Sequence, residues 1–179
     1  MRSEVLVQVP KFPFKIDIVH LFYFIGLIIS FNTWPQTTST HLPITEDGGM
    51  ISIEGEHYVS VGSTEKHSWP PATDSTGSSG DGMMINSPDI GANTDFGDGS
   101  ALNYEIVFLQ AGIYFVWIRG YGIGSGDTCH VGLNGQEIST GNTIDFPRGK
   151  WTCVNENRNE QIITFSIEES GLYIFNIFM

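Results

Sequence analysis

The sequence predicts an all-β sandwich, and three observations carry that expectation. Ile51 and Ile53 alternate with Ser52 and Glu54, the period-2 pattern of a strand with one buried face. In Ile113-Tyr114-Phe115-Val116-Trp117-Ile118 nearly every position is apolar, as in a central strand covered on both sides. Gly, Asn and Ser punctuate the gaps, and Asn134-Gly135 is the dipeptide of a type I′ hairpin. Many short strands with Gly-rich turns make a sandwich or jelly roll.

In chain order, the N-terminus reads as a targeting segment. Arg2, Lys11 and Lys15 precede an apolar run over residues 18–31, the layout of a secretory signal. The run is shorter than the roughly 20 apolar residues of a spanning helix. Ser30-Phe31-Asn32 is a poor cleavage site, so a cleaved signal peptide and an uncleaved anchor both stay open over residues 1–34, with a buried core helix as a third reading. Residues 35–47, rich in Thr and bracketed by Pro35 and Pro43, form the expected linker. The sandwich is expected over 48–179, with strands at 50–58, 83–86, 101–108, 112–119, 128–133, 136–140, 151–154, 162–167 and 171–179. Long irregular stretches at 62–81, 86–100 and 120–127 are the places for function or mobility.

Composition bounds the partners. At 179 residues and 40% hydrophobic content the chain can bury one good core and hardly two. A formal charge of −12 excludes a basic patch for nucleic acid or an anionic membrane. It fits neutral ligands, cations and an extracellular, monomeric domain, secreted or tethered to a membrane only by its N-terminal segment. Cys129 and Cys153 are the only cysteines. In an exported chain such a pair is expected to be bridged, with two reduced, packed thiols as the alternative.

No catalytic motif stands out. The chain has no Gly-x-Ser-x-Gly elbow, no His-Glu-x-x-His and no phosphate-cradling loop. His57, His67 and His130 are too scattered for a zinc site. Glu54 and Glu56, two residues apart on a predicted strand, project to one side about 7 Å apart. That spacing suits a hard cation such as Ca²⁺, or simply a solvated strand face. Trp69, Arg119, Tyr121, Trp151 and Asn155 lie in or beside predicted loops. An aromatic face there can stack on the C–H face of a sugar while Asn or Arg bonds its hydroxyls; core filling is the alternative, and the one expected for Tyr114 and Trp117.

Several segments together resemble a known group. Ile51-Ser52-Ile53-Glu54-Gly55-Glu56-His57-Tyr58 resembles the opening strand of galactose-binding-like sandwiches, the carbohydrate-binding modules of families 6 and 35 and the C-terminal module of family 115 glycoside hydrolases. Tyr114-Phe115-Val116-Trp117-Ile118-Arg119 is similar to their Tyr-x-Val-Trp-x-Arg strand. Asp127-Thr128-Cys129-His130-Val131-Gly132-Leu133-Asn134-Gly135 is similar to the hairpin that follows it. Gly149-Lys150-Trp151 resembles their Gly-x-Trp strand, and Gly171-Leu172-Tyr173-Ile174-Phe175-Asn176-Ile177 their near-terminal strand.

The resemblance implies a jelly roll with structural Ca²⁺ held by Glu54 and Glu56, helped by carbonyls in 78–82, and sugar binding at a loop edge or concave face. It also implies a further closing strand carrying an acidic ligand, before which Met179 ends the chain. The expected sandwich therefore lacks its final strand and exposes an edge, at a cost in stability unless another segment covers it. The expected function is a non-catalytic carbohydrate-binding module that partners a glycan. The alternative is an extracellular adhesion or structural sandwich that binds protein.

Overall fold

A computed structural model describes residues 4–8, 42–64, 67–73, 77, 79, 82–88, 95–124 and 127–179, the first of these segments by backbone alone. Among the described residues there is no helix, and fourteen strands form an all-β sandwich. The apolar run at 18–31 and the linker up to residue 41 lie outside the described residues.

The first main sheet holds β1 (Glu4–Gln8), β3 (Met50–Glu54), β8 (Gly112–Tyr121), β12 (Trp151–Val154) and β13 (Thr164–Ile167). Along one edge of β8 run β13 and then β12, both antiparallel to it. Along the other edge β1 pairs with β8, and β3 lies beyond β1. The second main sheet holds β2 (Ile44–Thr45), β4 (Ser60–Gly62), β7 (Ala101–Phe108), β9 (Thr128–Leu133), β10 (Gln136–Glu137), β11 (Ile144–Asp145) and β14 (Gly171–Phe178). Its centre is the eight-residue ladder of β14 on β7. A small separate pair joins β5 (Pro71–Ala72) to β6 (Met83–Met84).

Alternation along the strands builds the core. In β8, Tyr114, Val116 and Ile118 are buried, as are Ile51 and Ile53 of β3 and Phe165 and Ile167 of β13. They meet Leu102, Tyr104, Ile106 and Phe108 of β7, Cys129 and Val131 of β9, and Phe175 and Ile177 of β14. The ring of Phe108 sits edge-on to Tyr114, Phe165 and Tyr173, an arrangement that aromatic quadrupoles favour. The Tyr114 hydroxyl donates within this region to the Glu46 carboxylate, which also accepts from the Leu109 N–H.

The hairpin at Asn134-Gly135 forms as expected, with φ of 53° and 75°, both in the left-handed region a type I′ turn requires. Three strands match their sequence-derived bounds: 101–108, 128–133 and 151–154.

Other expectations are corrected. The strand expected over 50–58 ends at Glu54, because the chain turns there, with the His57 N–H donating to the Glu54 carbonyl. The chain then crosses to the other sheet as β4, and the Tyr104 hydroxyl ties down the Gly55 carbonyl at the crossing. Ile44–Thr45, expected to be linker, pairs in parallel with β7. Glu4–Gln8, expected within the targeting segment, forms a strand inside the first sheet and lies against the inward edge of β3.

The expected disulfide is also absent: Cys129 and Cys153 are both free thiols. Cys129 points into the core from the second sheet. Cys153 pairs in register with Arg119 on the outward face of the first. Facing away from one another on different layers, they do not meet.

Candidate functional site

The odd-numbered residues of β8 face away from the core, because their even-numbered neighbours fill it. Phe115, Trp117, Arg119 and Tyr121 therefore form an outward row of half-buried side chains. Trp117, expected in the core beside Tyr114, belongs to this row instead. Between Arg119 and Tyr121 the chain needs a glycine: a Cβ on Gly120 would lie 2.2 Å from the Phe146 ring. Phe146 thus packs directly on the backbone and holds this end of β8 down.

Strand β12 adds the next member. Its register sets Trp151 opposite Tyr121 and Cys153 opposite Arg119, and paired residues of an antiparallel ladder share a face. The rings of Tyr121 and Trp151 are 5.4 Å apart at a 50° tilt. The Arg119 guanidinium carbon lies 4.7 Å from the Trp151 ring centroid, within cation–π range. The Nη2 of Arg119 donates to the Gly77 carbonyl at 2.7 Å, and its Nη1 reaches the Ser79 hydroxyl at 3.5 Å. That hydroxyl donates to Glu54 Oε2 at 3.1 Å. Glu54, Ser79, Arg119, Trp151 and Tyr121 therefore make one connected cluster at one end of the first sheet. It offers two amphipathic rings, a fixed cation and a carboxylate, which suits a neutral polyhydroxylated ligand.

Residues 45–179 match the glycosyl hydrolase family 115 C-terminal domain. The chain belongs to that family. A family 115 C-terminal domain is an accessory β-sandwich associated with glycoside hydrolases, distinct from their catalytic part, and domains of that association are usually extracellular or secreted. An uncharacterized protein of Formosa agariphila, P23, is 24% identical over 172 residues, which cover 78% of this chain and 42% of the relative. The chain thus spans less than half of that relative's length. No solved structure matches it. Among the described residues no helix is long and apolar enough to cross a membrane.

The remaining sequence-derived residues of the family 115 C-terminal domain divide clearly. Trp69 is corrected: it is 2% exposed, with its indole N–H donated to the Ser100 carbonyl at 3.0 Å. It fills the core and has no face free for a sugar. Asn155 lies past the end of β12 in a separate groove of about 270 Å³, with Asp145, Thr152 and Asn157 among its walls. Its carbonyl accepts from the Ile163 N–H. It does not join the Arg119 cluster.

Glu54 and Glu56 are both half-buried, but Glu56 sits in the turn after β3 rather than on it. Its carboxylate lies within 4 Å of the place a Cβ on Gly82 would occupy, as the Glu54 carboxylate lies against Ser79. Residues 78, 80 and 81 of the expected cation site lie outside the described residues. Among the described residues no group of three His, Cys, Asp or Glu side chains is placed to hold a metal. The oxygen-only donors present fit a hard ion in kind.

Sequence reasoning missed Gly77, and it included Ser79 only among the carbonyls of 78–82, not as the hydroxyl that links Glu54 to Arg119. It also missed a groove of about 530 Å³ toward the other end of β8, lined by Ile113, Gln136, Glu137, Thr164 and Phe165 among others. The Asn134-Gly135 hairpin was the available hint, since Asn134, Gln136 and Glu137 are among the residues that line the groove.

Proposed function

We propose that this chain is a non-catalytic carbohydrate-binding domain that holds a glycan on the outward face of its first sheet, at Arg119, Tyr121 and Trp151. The observation that carries this reading is the Tyr121–Trp151 pair, half-exposed side by side and braced by Arg119. Stacking on a sugar needs an aromatic face held rigid before binding, because immobilising it afterwards would cost affinity. The family membership supports the same reading, since the domain accompanies glycoside hydrolases. Glu54 and Glu56 would hold a structural Ca²⁺, stiffening the loop that braces Arg119. The setting that fits these features is extracellular.

Affinity electrophoresis of the whole chain through gels containing plant, algal and microbial polysaccharides tests this. Retention on at least one polymer, abolished in Trp151→Ala with the fold intact by circular dichroism, is expected. Free migration through every polymer would overturn the reading.

A second reading, a sandwich that contacts protein, is favoured by one observation. Leu109, Ile113 and Leu172 are each more than half exposed, around the turns at the end of the sandwich away from Arg119. It predicts a ligand from extracellular material that survives deglycosylation. The half-exposed Tyr121 and Trp151 weigh toward the glycan.

A further inference from the structure

Among the described residues, five near the N-terminus join the two parts of the first sheet. Strand β1 is antiparallel to β3 on one side and to β8 on the other, so β3 and β8 run parallel with β1 between them. Neighbouring strands lie about 4.8 Å apart, so β3 and β8 stand roughly 9–10 Å from each other, too far to bond directly. Among the described residues no other strand of this sheet pairs with β3. Among the described residues β3 is otherwise held by its buried Ile51 and Ile53, by the turn that joins it to β2, and at its end by the bonds that the Glu54 carboxylate and carbonyl accept from Ser79 and His57. Without β1, the inner edges of β3 and β8 would both present unpaired N–H and C=O groups.

Register links this slot to the binding cluster. Glu4 is paired with Glu54 on one side and Arg119 on the other. Those two residues are the acidic and basic ends of the cluster, and Ser79 bridges them. The next pair along the same face brackets Leu6 between Ser52 and Trp117. The spacing between Glu54 and Arg119 is therefore set by the width of one inserted strand.

We propose that the gap between β3 and β8 is a strand-acceptor slot, that its occupant is the segment Glu4–Gln8 of the same chain, and that filling it assembles the Glu54–Arg119 end of the glycan site. The segment suits the slot. Glu-Val-Leu-Val-Gln has β-branched residues flanking a central Leu and no proline, so every backbone N–H and C=O can join one of two ladders. Main-chain pairing then supplies the affinity, as when an extended peptide is added to a sheet. The coupling to ligand binding rests on the reading above; the slot itself does not.

Hydrogen exchange of the whole chain, read by mass spectrometry, tests the slot. In the wild type the amides of residues 4–8 are expected to exchange as slowly as those of 51–53, because both lie in one cooperative ladder. Leu6→Pro removes an N–H from the middle of the sheet. It is expected to speed exchange at 51–53 by at least about tenfold, and a synthetic peptide of residues 3–9 in excess should restore protection. Polysaccharide retention should fall and recover in step.

Rapid exchange at 4–8 beside a protected 51–53 in the wild type would overturn the proposal, and needs no variant to fold. So would a wild-type dimer that Leu6→Pro converts to monomer, because the occupant would then come from a second copy. If the wild type is retained on no polysaccharide, the glycan reading fails while the exchange data still decide the slot.

Discussion

Arg119 holds its guanidinium 4.7 Å from the ring centroid of Trp151 while its Nη2 is bound to the Gly77 carbonyl. The arginine is thus shared between a strand neighbour and a loop, and it fixes one to the other. Cation–π contacts at partly exposed sites contribute about 0.5–1 kcal/mol, so the pair matters more for geometry than for stability. Arg119→Ala and Trp151→Ala should each abolish polysaccharide retention while costing about 1–2 kcal/mol of stability by urea titration. A double-mutant cycle should return a coupling of about 0.5–1 kcal/mol. Additive stability losses would mean the two side chains do not interact.

Trp69 should behave in the opposite way. Truncating a buried tryptophan removes a large apolar surface and opens a cavity, so Trp69→Ala should cost about 3–5 kcal/mol. Trp69→Phe should cost only about 1–2 kcal/mol, because the Ser100 carbonyl keeps a second donor in the Met179 N–H. The Phe variant, still folded, should be retained like the wild type. A loss of retention with unchanged stability would return Trp69 to the binding surface.

Gly120 admits no side chain. The Cβ of Gly120→Ala would sit 2.2 Å from the Phe146 ring, so the ring or the strand must move. Overpacking of this kind costs about 1–3 kcal/mol, and it should tilt Arg119 and Tyr121 as well. Chemical denaturation should show the loss, and Gly120→Ala combined with Phe146→Leu should recover part of it.

Alkaline pH should weaken the fold from a defined starting point. Burial first, then the hydrogen bond and charge of Glu46, hold the Tyr114 phenol well above its ordinary 10.0. Burial alone pushes the Cys129 thiol up from 9.0. In both, the folded value is raised, so the unfolded chain releases its proton first as pH rises. Their contribution is intact below the unfolded values and is lost progressively above about pH 9 for Cys129 and about pH 10 for Tyr114. Melting temperature should be flat in this respect from pH 7 to 8.5 and fall beyond it, and Tyr114→Phe should show a shallower fall above pH 10. An identical slope in the variant would remove Tyr114 from the explanation.

The two thiols should separate by access. Exposed Cys153 should react with a disulfide reagent in the native protein, and buried Cys129 only in denaturant. Reductant should leave the melting temperature unchanged. A drop in melting temperature on reduction would reinstate the bridge.

The sandwich was legible where local pattern and tertiary demand agree. Strands β7, β9 and β12 follow from alternation bounded by turn residues, and the Asn134-Gly135 turn from its own backbone preference. Arg119, Tyr121 and Trp151 were legible as a group because each stands at a strand end, but their contact depends on the β8–β12 register. Trp69 was misread because Pro and Ser around it signal a loop, whereas its burial depends on Ser100, far along the chain. Parity suggested that Cys129 and Cys153 pair, while strand facing decides that they do not. Glu4–Gln8 was read as part of a leader despite its β-branched residues, because of the apolar run behind it and because its partners lie far ahead in sequence. What was not legible is long-range pairing.

Strand β8 packs the interior with one set of side chains and displays Phe115, Trp117, Arg119 and Tyr121 with the other. The two roles share a single reading frame. Lengthening or shortening this strand by one residue would turn aromatics inward and aliphatics outward together, harming the interior and the display in one step. Side chains at the displayed positions can be exchanged singly, so ligand preference is free to drift by substitution but not by insertion or deletion.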